Sequence, residues 1–354
     1  MGYQPVVEVL RGGIVESVHY GAVAVADPLG NLVAWWGDPE TVTFLRSSAK
    51  PFQALPLVES GAADHFGLTP AHLAVICASH SGTDEHVRMV GSAQSQTGVS
   101  EDDLLCGVHP PADAETARRL RAEGLEPTPN RHNCSGKHTG MIALARYLGV
   151  PTGSYMERGH PVQERILLAI SEMCSLEPGA IGVAIDGCSV PTFAVPLRAA
   201  ATAYARLGDP SRLPPARAEA CRRIFEAMAS HPFLVAGPGR FDTQLMQVGE
   251  GRLVVKGGAE GYHGIAVAPG AAGSGSPALG IALKIADGDQ GRLSDTPPGP
   301  RATARAVLAV LGELGALDAA QRGRLAEFEE RRLTNWRGLE VGEVGACLRL
   351  ERSS

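Results

Sequence analysis

The sequence predicts a mixed α/β protein of the α+β type, in which strands from both ends of the chain form one antiparallel sheet beside a helical lobe. Three observations predict it: β-rich segments at the start, helical spacing through the middle, and β-rich segments again after Gly249. The 354 residues exceed a usual single core of about 100 to 200 residues. We therefore expect one domain with two lobes, the sheet lobe at about 1–46 and 250–354 and the helical lobe at about 47–249.

The N-terminal part predicts antiparallel hairpins followed by a helix. Turn residues at Gly12-Gly13 and 27–31 separate three β-rich runs: Val6–Leu10, Tyr20–Ala26 and Asn31–Trp36. Apolar spacing then predicts a helix over 47–60 that ends at Gly61, with Pro51 in its first turn, where a missing N–H costs little. Ser47 is thus expected at the start of this helix.

The middle and the end of the chain predict helices and then strands. A short buried run over 73–78 precedes a helix over 83–98. Helical spacing of alanine, leucine and arginine predicts Ala112–Glu123, Gly136–Leu148, Pro161–Cys174, Val195–Leu207 and Pro215–Ala229, interrupted by a strand over Ile181–Ile185. The later elements are strands Leu253–Lys256, Tyr262–Ala268 and Leu279–Ile285, then helices Pro300–Leu314 and Ala319–Arg332.

Composition excludes several classes of protein. An apolar fraction of 44%, a charged fraction of 20% and a net charge of -6 without charged blocks are ordinary for a globular protein, so nucleic acid is not an expected partner. The absence of a signal-like start and of a long apolar run predicts a soluble, cytoplasmic protein that does not bind membranes. Seven scattered cysteines without C-x-x-C argue against a disulfide framework and leave buried thiols, one or two of them as ligands.

The segment Arg46-Ser47-Ser48-Ala49-Lys50 contains S-x-x-K. At a helix start this spacing puts Ser47 and Lys50 on one face, with Cβ atoms about 5 to 6 Å apart. A neutral lysine amine can accept a serine proton, which requires burial or a second cation to lower the lysine pKa. The alternative is a solvated helix start.

Two further motifs support a Ser–Lys enzyme. S-x-x-K enzymes pair that motif with a strand-borne K-T-G, and here Lys256-Gly257-Gly258 ends a predicted strand. Lys256 is therefore a candidate second cation, and the alternative is an exposed lysine in a strand-end turn. Ser79 follows a buried run, so its hydroxyl is a candidate for passing a proton, and the alternative is a cap or turn serine.

A polar, glycine-broken cluster over 133–140 opens an apolar helix. Cys134 and His138 are four residues apart, and Cys188 follows the predicted strand that ends at Ile185. Two thiols and a neighbouring side chain favour a soft divalent ion. Buried thiols beside a helix cap are the alternative interpretation.

Taken together, these motifs resemble the Rhizobium-type, thermolabile L-asparaginases, a family similar in fold to serine β-lactamases, penicillin-binding proteins and glutaminases. The resemblance runs from about Val6 to Ala286 and rests on residues 46–53, 77–80, 133–138, 186–188 and 256–261. It implies that Ser47 and Lys50 form a first Ser–Lys tandem and Ser79 and Lys256 a second.

The same resemblance implies one zinc ion per chain, held by Cys134, Lys137 and Cys188. Arg46, His138 and Asp186 adjoin the motifs, which makes them candidates for gripping the α-carboxylate and α-amino groups of the substrate. A homodimer is also expected by resemblance.

The implied function is hydrolysis of L-asparagine to L-aspartate and ammonia, with Ser47 attacking the carboxamide and Lys50 accepting its proton. Two alternatives remain at this point. One is another Ser–Lys enzyme on the same scaffold, such as a glutaminase or a penicillin-hydrolysing enzyme. The other is a zinc-binding regulator without turnover.

Overall fold

The computed structural model describes residues 2–289, 300–329 and 331–353. It is a mixture of helix (42%) and antiparallel sheet (21% strand), which confirms the predicted fold class. The chain forms two compact units. The first contains Met1–Ser48, Val195–Asp209 and Val248–Ser354, and the second contains Ala49–Ala194 and Pro210–Gln247.

The strands are β1 (Gln4–Arg11), β2 (Ile14–Ala26), β3 (Leu32–Trp36), β4 (Val42–Phe44), β5 (Gly182–Ile185), β6 (Pro191–Pro196), β7 (Leu253–Gly258), β8 (Tyr262–Val267), β9 (Leu279–Ile285), β10 (Arg331–Thr334), β11 (Glu340–Ala346) and β12 (Glu351–Arg352). The helices are α1 (Lys50–Gln53), α2 (Leu55–Glu59), α3 (Ala62–His65), α4 (Pro70–Ile76), α5 (Asp84–Thr97), α6 (Ala114–Ala122), α7 (Ser135–Leu148), α8 (Pro161–Cys174), α9 (Leu197–Gly208), α10 (Pro215–Ser230), α11 (Pro232–Val235), α12 (Phe241–Val248), α13 (Thr303–Glu313), α14 (Ala319–Gly323) and α15 (Ala326–Glu329).

The first unit is built on an antiparallel sheet from both ends of the chain. Its strand order is β10-β11-β1-β2-β9-β8-β7, with β3 also pairing with β2, and β12 with β3. The N-terminal β2 pairs with the C-terminal β9 in a register that sets Val23 opposite Leu283. This pairing confirms the prediction that the terminal strands share one sheet.

Helix α9 packs against this sheet at two glycines. A Cβ atom at Gly280 would lie 1.8 Å from the Ala201 carbonyl oxygen, and one at Gly264 would lie 1.9 Å from the Tyr204 ring. Glycine at these positions lets α9 approach β8 and β9 closely. The sequence places this helix in the helical lobe, whereas the structure packs it with the sheet.

The second unit is a bundle of helices around α4, which contacts α5, α7 and α10. Thr69 caps the start of α4 and Thr83 caps the start of α5, each in a capping box with a histidine three residues later. Gly136 brings α7 against α4, since a Cβ there would lie 2.1 Å from the Val75 carbonyl oxygen. These contacts set the position of the residues at the start of α7.

Two predicted helices differ in the structure. The helix expected over 47–60 is a 3₁₀ turn, Arg46–Ala49, followed by α1 and α2. Pro56 has no N–H for the Phe52 carbonyl, so the helix is broken at Ala54. The helix expected over Ala319–Arg332 is confirmed only in part, because the segment forms two short helices, α14 and α15, and Arg331 then begins β10, which pairs with β11. Tertiary pairing there overrides the local helical propensity.

The seven cysteines are all free thiols, as the sequence predicts. The segment 271–276 lies between β8 and β9, where a hairpin loop is expected. Strand β6, helix α12 and the C-terminal strands have no counterpart among the predicted elements. Within the described ranges, every helix is too short or too polar to cross a membrane.

Candidate active site

The S-x-x-K segment forms a continuous turn that changes from 3₁₀ to α geometry at Lys50. Arg46 begins it with φ 50°, in the left-handed region that non-glycine residues rarely adopt. Such a conformation costs about 1–3 kcal/mol and persists only where the surroundings impose it. The strain falls on the residue that precedes Ser47.

The two adjacent serines have different surroundings. Ser48 is fully buried, and its hydroxyl donates to the Lys256 carbonyl oxygen at 2.9 Å. Its own carbonyl oxygen accepts from the Tyr204 hydroxyl at 2.7 Å. Ser47 is partly exposed. Ser48 therefore ties the turn to β7, and Ser47 is the serine that solvent can reach.

Lys256 is almost completely buried on β7, with 1% exposure. Its Nζ donates to the Gly257 carbonyl oxygen at 2.7 Å. The next glycine allows a close approach, since a Cβ at Gly258 would lie 2.6 Å from the Leu45 carbonyl oxygen and 3.0 Å from the Ser48 hydroxyl. Burial rules out the interpretation of Lys256 as an exposed turn lysine.

Lys50 is also buried, at the first position of α1. Its Nζ lies 2.5 Å from the Ala78 carbonyl oxygen, 2.9 Å from Ser79 Oγ and 3.1 Å from the Asn133 carbonyl oxygen. Burial lowers the pKa of Lys50, and the Lys137 cation acts in the same direction, against the opposing effect of Cys134. The ammonium form is therefore less favoured than in water.

Lys50 Nζ donates to two carbonyl oxygens and to the Ser79 hydroxyl, which alone among these three groups can also donate a hydrogen bond. Ser79 supplies that hydroxyl from the loop after α4, where its backbone N–H donates to Val235 O at 2.9 Å. The structure thus brings Ser79 to Lys50, in the second unit, while Lys256 belongs to the first.

The predicted metal ligands come together in the second unit. Cys134 precedes α7, Lys137 lies in its first turn, and Cys188 lies in the turn between β5 and β6. All three are buried, and Lys137 Nζ lies 2.9 Å from Cys188 Sγ. A hydrogen bond from Cys188 lowers the pKa of Cys134 despite burial. Burial lowers the pKa of Lys137, but the attraction of the two sulfurs outweighs it and the net shift is upward.

This donor set suits a soft cation. Two sulfur atoms and one amine lie together in the interior, and the hydrogen bond between the two thiols lowers the pKa of Cys134 and raises that of Cys188, so that Cys134 is the one of the two that is favoured as a thiolate. Within the described residues no group of three or more histidine, cysteine, aspartate or glutamate side chains forms a metal site, so a zinc ion here would depend on Lys137 as the third protein ligand.

The candidate substrate-binding residues lie beside these motifs. Asp186 is partly buried, and its carboxylate accepts the Gly187 N–H at 2.8 Å. His138 is fully buried, and its Nδ1 lies 2.6 Å from the Tyr155 hydroxyl. Arg46 belongs to the first unit, and the other two belong to the second.

Some residues of the site are absent from the sequence prediction. Tyr155 lies in a loop without periodicity, 17 positions from His138, so nothing local indicates their contact. His80 bonds Ser135 Oγ at 2.9 Å and accepts the Gly82 N–H at Nδ1, 3.2 Å away. The carbonyl groups that hold Lys50 carry no sequence signal at all.

Comparison with known proteins gives the class and then the family. The sequence matches the family model described as L-asparaginase II over residues 7–346, nearly the whole chain. This match places the chain in a class of amide-hydrolysing families. The chain belongs to the L-asparaginase II family.

Among solved structures, the chain is similar to Mglu in its native form, with 14% identity over 84% of this chain and 66% of that chain and a TM-score of 0.42. It is also similar to Mglu in 4.3M NaCl, with 17% identity, 85% and 61% coverage and a TM-score of 0.42. Bacillus glutaminase in 4.3M NaCl gives 13% identity, 75% and 83% coverage and a TM-score of 0.31. The chain spans less than two thirds of the first two proteins. A search of curated proteins gave no match.

Proposed function

We propose that the protein is an L-asparaginase that hydrolyses L-asparagine to L-aspartate and ammonia through Ser47 and Lys50. The observation that carries the proposal is the state of Lys50: a buried amine with a lowered pKa, three residues after a partly exposed serine in the same turn. Membership in the L-asparaginase II family supports the choice of substrate.

The proposed first step forms an ester. Ser47 Oγ attacks the side-chain carboxamide carbon while its proton moves to Lys50 Nζ. The C–N bond then breaks, and the proton passes from the lysine to the leaving nitrogen, which departs as ammonia. Backbone N–H groups are proposed to hold the oxyanion.

In the second step, water attacks the ester carbon, its proton returns through Lys50, and aspartate leaves with Ser47 restored. Ser79 is proposed as a relay, because it is the one partner of Lys50 that can donate to the amine lone pair. Lys256 is proposed as the partner of Ser79 and the second cation of the site.

We also propose zinc as the cofactor, with Cys134, Lys137 and Cys188 as its ligands. Bound zinc would supply a positive charge that grips or polarises a substrate oxygen and would keep the Lys137 amine neutral. Elemental analysis of freshly purified protein should give about one zinc per chain. Protein without zinc whose activity is unaffected by Cys134→Ser and Cys188→Ser would contradict this.

The substrate is tested by ammonia release from asparagine and glutamine, with hydrolysis of a β-lactam measured in parallel. The proposal expects kcat/KM for asparagine to exceed that for glutamine. A preference for glutamine or for the β-lactam would assign the other Ser–Lys activities. Absence of turnover, with zinc binding retained, would favour a zinc-binding regulator. The cytoplasmic, homodimeric state expected from the sequence remains part of the proposal, and sedimentation of the purified chain tests the dimer.

A further inference from the structure

His109 lies in the loop before α6, and each of its two ring nitrogens faces a backbone group. Its Nε2 lies 3.1 Å from the Asn133 backbone nitrogen, and its Nδ1 lies 2.6 Å from the Pro110 carbonyl oxygen. A backbone N–H can only donate, and a carbonyl oxygen can only accept. The roles of both ring nitrogens are therefore fixed: Nε2 accepts the Asn133 N–H, and Nδ1 donates to Pro110.

The loop that carries His109 is itself held on both sides of the histidine. Before it, the Leu105 N–H donates to the Tyr155 hydroxyl at 3.0 Å, and after it, the Asp113 N–H donates to the Ser81 carbonyl oxygen at 2.9 Å. All of these residues belong to the second unit. The contacts of that unit alone therefore place the imidazole.

Asn133 is the residue that this imidazole holds. Its own N–H donates to His109, and the next N–H along the chain, that of Cys134, donates to His132 Nδ1 at 3.0 Å. The rings of His109 and His132 lie together, with centroids 4.3 Å apart. Two successive backbone N–H groups are thus tied to two neighbouring imidazoles, which fixes the direction in which the Asn133 carbonyl points.

The Asn133 carbonyl is directed at Lys50. Its oxygen lies 3.1 Å from Lys50 Nζ, whose other two partners are the Ala78 carbonyl oxygen and Ser79 Oγ. Those two partners are consecutive residues of one loop, whereas Asn133 comes from the segment before α7. Contacts to a single loop would leave the amine free to swing about it, and the Asn133 carbonyl removes that freedom.

We infer that His109 is a positioning residue: by accepting the Asn133 N–H, it holds the Asn133 carbonyl where that carbonyl fixes Lys50 Nζ beside Ser79. This inference rests on the proposed function for the part that Lys50 plays in the reaction. The hydrogen bonds themselves are properties of the protein without substrate and are tested apart from turnover.

Two substitutions of His109 separate its acceptor from the rest of the ring. Glutamine reaches as far as Nε2 and can place its carbonyl oxygen there, so His109→Gln keeps an acceptor for the Asn133 N–H. Asparagine reaches only as far as Nδ1, so His109→Asn keeps a donor for Pro110 and leaves the Asn133 N–H without its acceptor. His109→Gln should therefore resemble the wild type, and His109→Asn should not.

His160 supplies the matched control, because it also joins two backbone groups. Its Nε2 bonds the Pro151 carbonyl oxygen at 2.8 Å, and its Nδ1 accepts the Val162 N–H at 3.2 Å at the start of α8. The three hydrogen-bond partners of Lys50 lie in other segments. His160→Gln removes the acceptor for Val162 and keeps the donor for Pro151, so it should lower stability without changing kcat.

The first test is nitrogen-15 NMR of the protein without substrate. A hydrogen bond between two nitrogens transmits a scalar coupling, so the wild type should show one between the Asn133 amide and His109 Nε2. The Lys50 Nζ signal, assigned by its absence from Lys50→Ala, should shift in His109→Asn and stay close to its wild-type position in His109→Gln and His160→Gln. A wild-type His109 that carries its proton on Nε2, or a Lys50 signal unchanged in His109→Asn, would overturn the inference.

The second test is kinetic, with the stability of each variant measured by thermal unfolding. His109→Asn should lower kcat for asparagine about tenfold to a hundredfold, as expected for displacing a reacting group by up to about 1 Å, and change KM less than about threefold. His109→Gln should recover most of this loss. Equal losses of kcat in the two His109 variants, or a loss as large in His160→Gln, would reduce His109 to a structural role.

Two results separate this inference from the proposed function. If the NMR results are as expected but the wild type does not hydrolyse asparagine, the proposed function fails and the placement of Lys50 by His109 stands. If asparagine is hydrolysed and His109→Asn keeps the wild-type kcat, the proposed function stands and the role of His109 fails. The tautomer of the wild-type ring tests the inference even if His109→Asn does not fold.

Discussion

Replacing Gly136 by alanine should separate the two helices that carry the site. Gly136 lies in the first turn of α7, directly before Lys137 and His138. A Cβ at this position would lie 2.1 Å from the Val75 carbonyl oxygen and 2.7 Å from the Val75 carbonyl carbon. Both are backbone atoms of α4, so no rotation of a flexible side chain relieves the overlap.

The size of the effect follows from that distance. Carbon–oxygen contacts of this kind are usually about 3.3 Å or longer, so the helices must part by about 1 Å. Overpacking of this kind costs about 1–3 kcal/mol, which lowers Tm by roughly 2–4 °C per kcal/mol. A 1 Å displacement of groups held for reaction can lower the rate about a hundredfold. Gly136→Ala should therefore lose both stability and activity.

Gly91 supplies the matched control. It lies within α5, and a Cβ there would meet nothing within 4 Å. Gly91→Ala should therefore stabilise the protein by about 0.5–1 kcal/mol, because alanine loses less backbone freedom on folding, and leave activity unchanged. Thermal unfolding and ammonia release are measured for both variants. If Gly136→Ala melts and turns over like Gly91→Ala, the close packing of α7 on α4 is refuted.

Two further predictions concern charge. Lys50→Ala and Lys256→Ala should each lower kcat at least about a hundredfold, and Lys50→Arg should not restore activity because a guanidinium does not accept a proton; an active Lys50→Arg enzyme would contradict the general-base role. Burial lowers the pKa of His80 and of His86, whose rings stack 4.9 Å apart, so both are neutral in the folded state. In the unfolded chain both histidines bind a proton near pH 6.5. Their contribution to the free energy of unfolding is therefore fully present above about pH 6.5 and is lost as the pH falls below that value. Urea unfolding should show His80→Gln reducing this slope by up to about 1.4 kcal/mol per pH unit, and an unchanged slope would place the protonation elsewhere.

The sequence was sufficient for the parts of the fold that local pattern controls. Helix α8 matches the predicted bounds because proline at its first position and a dense apolar face act locally. The terminal strands pair as predicted because β9 is buried along its whole length and needs partners on both sides. Strand β10 escaped prediction because its charged sequence favours a helix, and only pairing with β11 makes it extended.

In the candidate site, too, only local relations could be read from the sequence. Spacing predicts Ser47 and Lys50, because three positions within one turn fix their relation. The burial of Lys50 and its carbonyl partners depends on chain segments 28 and 83 residues away, which no local pattern reveals. The contact between Tyr155 and His138 likewise joins residues 17 positions apart, without any local pattern that reveals it.

The proposed mechanism requires that Ser47, and not Ser48, is the nucleophile. The buried Ser48 hydroxyl already donates to the Lys256 carbonyl, whereas Ser47 is partly exposed at the turn that leads into Lys50. The most direct measurement is acid quenching of enzyme mixed with asparagine, followed by mass spectrometry of the peptide that carries both serines. The proposed mechanism predicts an aspartyl ester on Ser47 that disappears in Ser47→Ala and persists in Ser48→Ala. An ester on Ser48 or Ser79, or full ammonia release by Ser47→Ala, would contradict it.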